Sequence, residues 1–116
     1  MKGKKFKIPG GTKGILYPPH PKGEQQLALV TMTNGTYPRQ GYSVNDRCTE
    51  TIYLLKGKLI VTINDKKTTL HPGKFVMILP SQRYTVRGTG TSLDIITPAW
   101  DKKQNHIIYG KASLRK

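Results

Sequence analysis

The chain has 116 residues, with 20 Lys and Arg against 6 Asp and Glu, a formal charge of +14, and one cysteine. That length holds one domain with a real core, and no apolar run approaches the span of a membrane helix. The basic N-terminus lacks the apolar stretch of a signal peptide, and the lone Cys48 excludes an intrachain disulfide framework, so a cytoplasmic, reducing location is expected.

Residues 1–14 read as a basic, glycine-rich arm, with Phe6 and Ile8 able to tie it down as a short edge strand. Pro18, Pro19 and Pro21 make the next segment a loop. From Gln26 to Thr33 both alternating sets are apolar or strand-forming, the pattern of a strand covered on both faces or placed at an oligomer face. Asn34-Gly35 predicts a hairpin turn, and 41–49 a polar connection. Strands are then predicted over 50–56, 58–63, 66–70, 74–80, 83–87 and 91–97. Turns fall at Asn64-Asp65, Pro72-Gly73, Pro80-Ser81-Gln82 and Gly88-Thr89-Gly90, because Asn and Gly tolerate positive φ and Pro fixes φ. Gly57 inside an apolar run predicts a bend or a bulge. Residues 98–116 form a tail in which Trp100 and Ile107-Ile108 are the groups that would pack on the body or on a neighbouring subunit. Many short strands without a long helix predict an all-β barrel, closed so that few edges remain.

The cationic excess gathers at both ends, as Lys2, Lys4, Lys5 and Lys7, then Lys102, Lys103, Lys111, Arg115 and Lys116. Such charge attracts polyanions weakly and without sequence preference. No helix-turn-helix, zinc-finger spacing or paired aromatic platform accompanies it, so most of it reads as solvated surface.

Two motifs are more specific. Glu50, six residues and Gly57 form one; Gly73 leading through Ile78 to Pro80 forms the other, with the Asn64-Asp65 turn between them. Over roughly residues 36–97 the chain resembles the cupin superfamily. The resemblance implies a double-stranded β-helix (jelly-roll) barrel over 1–116, with a pocket at one mouth, often in a homodimer. Metal-binding cupins add two histidines before the glutamate and one after the proline. Here those positions fall on Ser43 and Asn45, or on Val44 and Asp46, and then on Thr85. Glu50 alone remains of the usual ligands, a poor set for a divalent transition metal, so no metal or other cofactor is expected.

Glu50 is the candidate catalytic residue, expected to point into the barrel mouth, where burial would raise its pKa. Its plain alternative is a structural carboxylate hydrogen-bonded inside the barrel. Arg83, Thr85 and Arg87 share one strand face, so if Thr85 faces the pocket the two arginines flank it and suit an anionic ligand; otherwise they solvate the rim. Tyr42 and Trp100 are the better aromatic pocket candidates, since Tyr53 and Tyr84 fall on the opposite parity. Asn45 and Arg47, from the loop before Glu50, complete the candidate ligand-binding set. Cys48 has no local base and reads as inert, and His71 as surface. His20 and His106 are the residues from which a noncanonical site would be built. The expected function is metal-free binding of a polar, sugar-like or anionic small molecule. One alternative is a sugar-phosphate or nucleotide-sugar isomerase or epimerase using Glu50 in proton transfer. The other is a non-catalytic, oligomeric or nucleic-acid-associated basic protein.

Overall fold

The computed structural model describes residues 2–109. The basic positions Lys111, Arg115 and Lys116 lie outside the described residues. Among the described residues nine strands follow in order: β1 (Lys4–Ile8), β2 (Thr12–Leu16), β3 (Gln26–Tyr37), β4 (Tyr42–Asn45), β5 (Thr49–Ile63), β6 (Lys66–Leu70), β7 (Phe75–Ile78), β8 (Arg83–Thr97) and β9 (Asn105–Ile108). A 3₁₀ turn at Lys102–Gln104 precedes β9. All pairings are antiparallel, and they join the strands into one sheet that curls into a jelly-roll barrel. No helix among the described residues is long and apolar enough to cross a membrane.

β8 is the spine. Along one edge it pairs with β5 from Thr49↔Thr97 to Ile63↔Tyr84; along the other it pairs with β3 and then, at Tyr84 and Arg83, with β4. β5 and β8 are therefore each one long strand, where the sequence pattern suggests two. The predicted break at Gly57 is a register shift between Leu54 and Lys56, after which Gly57 (φ 91°) lies opposite Gly90. A Cβ at Gly57 would stand 2.3 Å from the Thr89 carbonyl oxygen and 2.5 Å from the Gly90 Cα, so this crossing requires glycine. The Gly88-Thr89-Gly90 segment accordingly continues β8 and does not turn. Asn34-Gly35 makes no hairpin either. Asn34 (φ 43°) sits in a bulge between Met32 and Gly35, where β3 slips its register on β8. The Asn64-Asp65 turn is as predicted, both residues having positive φ (47° and 71°) between β5 and β6.

The ends are more ordered than their composition suggests. Phe6 and Ile8 lie in an edge strand, and residues 4–16 together form a hairpin, β1–β2, that extends the sheet from β3. Residues 105–108 pair with β4 as β9, which sets Ile107 and Ile108 on the body of the same chain. The core is built from inward positions of five strands: Met32, Ile52, Leu54, Leu59, Val61, Leu70, Ile78, Tyr84 and Val86. Alternation sends Tyr53, Leu55, Phe75 and Met77 to the outer face of β5 and β7, where they are exposed.

Candidate ligand-binding site

A cavity of about 420 Å³ opens between the β1–β2 hairpin and the barrel interior. Its walls are mostly apolar, with Ala28, Val30 and Met32 from β3, Ile52 and Leu59 from β5, and Val86 and Ile96 from β8. The exposed Lys4, Lys5 and Trp100 stand among the lining residues and form part of its rim. Against this apolar lining the side chains of Thr12, Tyr37, Glu50, Tyr84, Ser92 and Asp94 supply the inner hydrogen-bonding and titratable groups, the Thr12 hydroxyl being buried without a partner among the described residues.

Glu50 is 8% exposed, and its Oε1 accepts from Asn45 Nδ2 at 2.8 Å and from the Tyr84 hydroxyl at 3.0 Å. The orientation of Asn45 is set from the tail. The backbone N–H groups of Arg47 and Cys48 donate to Gln104 Oε1 (3.1 and 3.0 Å), so the Gln104 amide must present Nε2 to Asn45 Oδ1 at 3.0 Å. Asn105 Nδ2 donates to the same oxygen at 2.9 Å and to Ser43 Oγ at 3.0 Å. With its oxygen engaged twice, Asn45 is left to donate to Glu50. Tyr37 joins through a 3.3 Å contact between its hydroxyl and Ser43. Glu50 Oε2 has no protein partner among the described residues and is not sealed off from solvent, so it is the oxygen left for a ligand.

Burial raises the Glu50 pKa, and the bonds from Asn45 and Tyr84 pull partly the other way. Burial also raises Tyr84 well above an ordinary phenol, reinforced by the Glu50 charge; Tyr37 moves the same way. Asp94 lies on β8, and its Oδ1 accepts from Ser92 at 2.9 Å. Burial first, then the neighbouring Glu50 charge, push Asp94 up to about 7.

Of the residues singled out in the sequence, the structure brings Asn45, Glu50 and Trp100 to or just behind this cavity. The others lie elsewhere. Thr85 and Arg87 fall on the outer face of β8, because Tyr84 and Val86 are the buried positions of that strand. Arg83 points the same way and bonds Asp65 at 3.2 Å, with its guanidinium 5.9 Å from the Tyr42 ring centroid. Tyr42 is thus half-buried under Arg83 and does not line the cavity. Arg47 is exposed, its Nη2 3.9 Å from Asp101. Counting five residues on from Pro80 reaches Thr85, but after the turn at Ser81 (φ 72°) the inward side chain is Tyr84. Plain alternation along β4 answers the ambiguity before Glu50: Ser43 and Asn45 are buried, whereas Val44 is half-buried and Asp46 exposed. Asp94 and Ser92 carry a signal that sequence reasoning passed over, an acid at the same parity as a serine and an isoleucine in the strand run Thr91–Thr97.

A divalent metal does not fit this donor set. Glu50 Oε1 and the Asn45 amide oxygen each already accept two bonds, and Tyr84 is held as a protonated donor. Among the described residues no three His, Cys, Asp or Glu side chains converge. His20 lies near Glu24 (3.6 Å) and His106 bonds Asp46 (2.7 Å); both pairs are exposed.

A model of the Cupin domain matches residues 28–96. A Streptomyces PAC13 variant with uridine superposes at a TM-score of 0.83 and 14% identity, over 97% of this chain and 89% of its own; Pac13 is described as a nucleoside dehydratase. An RmlC-like cupin from Shewanella frigidimarina gives 0.71 at 18% identity, over 87% and 88% of the two chains. KdgF from Halomonas sp. gives 0.71 at 13% identity, over 86% and 90%. No curated protein sequence matches the chain.

Proposed function

The chain belongs to the cupin family, and from that premise we propose that its barrel binds a small, hydroxyl-bearing molecule of sugar or nucleoside size without a metal. The observation that carries this reading is Glu50: a buried carboxyl fixed through one oxygen by Asn45 and Tyr84, with the other oxygen left for the 420 Å³ cavity. Apolar walls with a few fixed polar groups are the usual make-up of a small-molecule site, and this volume lies within the common range of about 300–1,000 Å³. The uridine held by Pac13 supports a ligand of nucleoside size. Lys4 and Lys5 at the rim favour a ligand with an anionic end.

Calorimetric titration with uridine, ribose 5-phosphate and a nucleotide sugar tests the reading. We expect one ligand to bind and Glu50→Gln to weaken it at least tenfold, the equivalent of about 1.4 kcal/mol. Binding that Glu50→Gln leaves unchanged, or stoichiometric transition metal in the purified protein, would overturn it.

A second reading, proton transfer on such a ligand by Glu50, is favoured by one specific observation: a second carboxyl, Asp94, lines the same cavity. The exposed Tyr53, Leu55, Phe75 and Met77 support a homodimer through β5 and β7, which light scattering would show as twice the 13.0 kDa chain mass. A cytoplasmic location agrees with the free, buried Cys48.

A further inference from the structure

Glu50 and Asp94 meet through strand register. In the β5–β8 pairing Glu50 lies opposite Ile96 and Ile52 opposite Asp94, so the two acids are diagonal neighbours on one inward face. Diagonal neighbours stand about 7–8 Å apart, their Cβ atoms somewhat closer, within reach of a common ligand. Each carboxyl is anchored the same way. Glu50 receives Asn45 and Tyr84 on Oε1, and Asp94 receives Ser92 on Oδ1. Glu50 Oε2 and Asp94 Oδ2 have no protein partner among the described residues, yet neither is sealed from solvent. The other titratable groups on this cavity are Tyr84 from β8, Tyr37 from β3, and Lys4 and Lys5 from β1. Both lysines are exposed, and neither makes an ion pair with either carboxyl. Two close carboxyls in a largely apolar cavity, without a cationic partner, resist being ionised together.

We propose that Glu50 and Asp94 form one proton-sharing pair, and that the ligand is a hydroxy-carbonyl compound gripped by both, one carboxyl acting as base and the other as acid. This rests on the small-molecule reading above and adds to it a second acid–base residue and a ligand class. The step the pair supports is enolisation. The ionised carboxyl takes the proton from the carbon beside the ligand carbonyl, and the C–H electron pair becomes the new C=C bond. The protonated carboxyl gives its proton to the carbonyl oxygen, whose π electrons form the new O–H bond. The ligand becomes an enol, the two carboxyls exchange protonation states, and no oxidant or reductant is needed.

The test follows the side-chain carboxyl ¹³C signals of the full chain from pH 4 to 9, in wild type, Glu50→Gln and Asp94→Asn, with and without ribose 5-phosphate. We expect the Asp94 midpoint to fall by about half a unit or more in Glu50→Gln, the Glu50 midpoint to fall likewise in Asp94→Asn, and ribose 5-phosphate to move both signals. Midpoints unchanged in both variants would overturn the pair. Should either variant fail to fold, the other decides: coupling acts equally on both partners, so an unchanged midpoint in the variant that folds refutes it. If ribose 5-phosphate moves Glu50 alone, Asp94 is outside the site while the binding reading survives. If it moves neither, the ligand class is wrong, and the titration curves still judge the pair.

Discussion

Replacing Asp94 by asparagine removes a charge that this site holds reluctantly, and the effect on stability has a definite pH dependence. An acid whose folded pKa lies above its unfolded value binds more proton when folded. It therefore supports the fold fully below the unfolded pKa, and that support is lost as pH rises to the folded value. For Asp94 the window runs from an ordinary 3.8 to about 7. A gap of that size corresponds to about 4 kcal/mol, an upper bound because the cavity admits water. The amide in the Asp94→Asn variant cannot ionise, so the variant's stability lacks this loss. The difference in unfolding free energy, Asp94→Asn minus wild type, is expected to rise by about 1.4 kcal/mol per pH unit within the window and to level off above it. Urea denaturation at pH 5, 6, 7 and 8 measures the difference directly, and an increase of about 2–3 kcal/mol from pH 5 to 8 is the expected result. An increase below about 0.5 kcal/mol would show that Asp94 is solvated like a surface carboxylate, and the reasoning from burial would fail.

Three further substitutions examine the scaffold of the site. Tyr84→Phe deletes one of the two donors on Glu50 Oε1; it is expected to cost about 1–2 kcal/mol in urea denaturation and to raise the Glu50 midpoint further in ¹³C titration. Gln104→Ala strips a partner from the Arg47 and Cys48 amides and from Asn45. A loss of about 2–4 kcal/mol is expected, together with a change in the Glu50 titration that a merely peripheral role would not produce. Gly57→Ala forces a Cβ against the β8 backbone at positive φ and is expected to lose about 3 kcal/mol or more, read as a drop in the urea midpoint at unchanged slope.

The barrel was legible because its grammar is local. Asn64-Asp65 and Pro72-Gly73 need particular backbone angles, and alternation in β5 puts Glu50, Ile52 and Leu54 inward from sequence alone. The site was less legible because it depends on parity after turns. One residue of difference at Ser81 moves Arg83, Thr85 and Arg87 outside and brings Tyr84 in, and no composition argument counts that residue. Asn34-Gly35 and Gly88-Thr89-Gly90 misled for a related reason: positive φ serves a bulge or a close crossing within a strand as readily as a turn between two. The support from Gln104 and Asn105 is separated by about sixty positions from the loop it holds, and such a pairing leaves no local pattern.

That separation has a consequence for how the protein is made. Ser43, Asn45 and Glu50 emerge from the ribosome well before the amides that orient Asn45, which belong to Gln104 and Asn105, about sixty positions further on. Until those residues emerge, Asn45 has neither donor on its oxygen, and its amide is free to turn away from Glu50. The binding groups are thus finished by residues synthesised about sixty positions after Asn45, so a nascent or shortened chain can hold most of its strands without holding the site. A chain of residues 1–103 should retain a β-rich circular dichroism spectrum yet titrate Glu50 still higher, because the Asn45 donor that pulls it down is no longer held in place; keeping that titration unchanged would show that the loop orients itself.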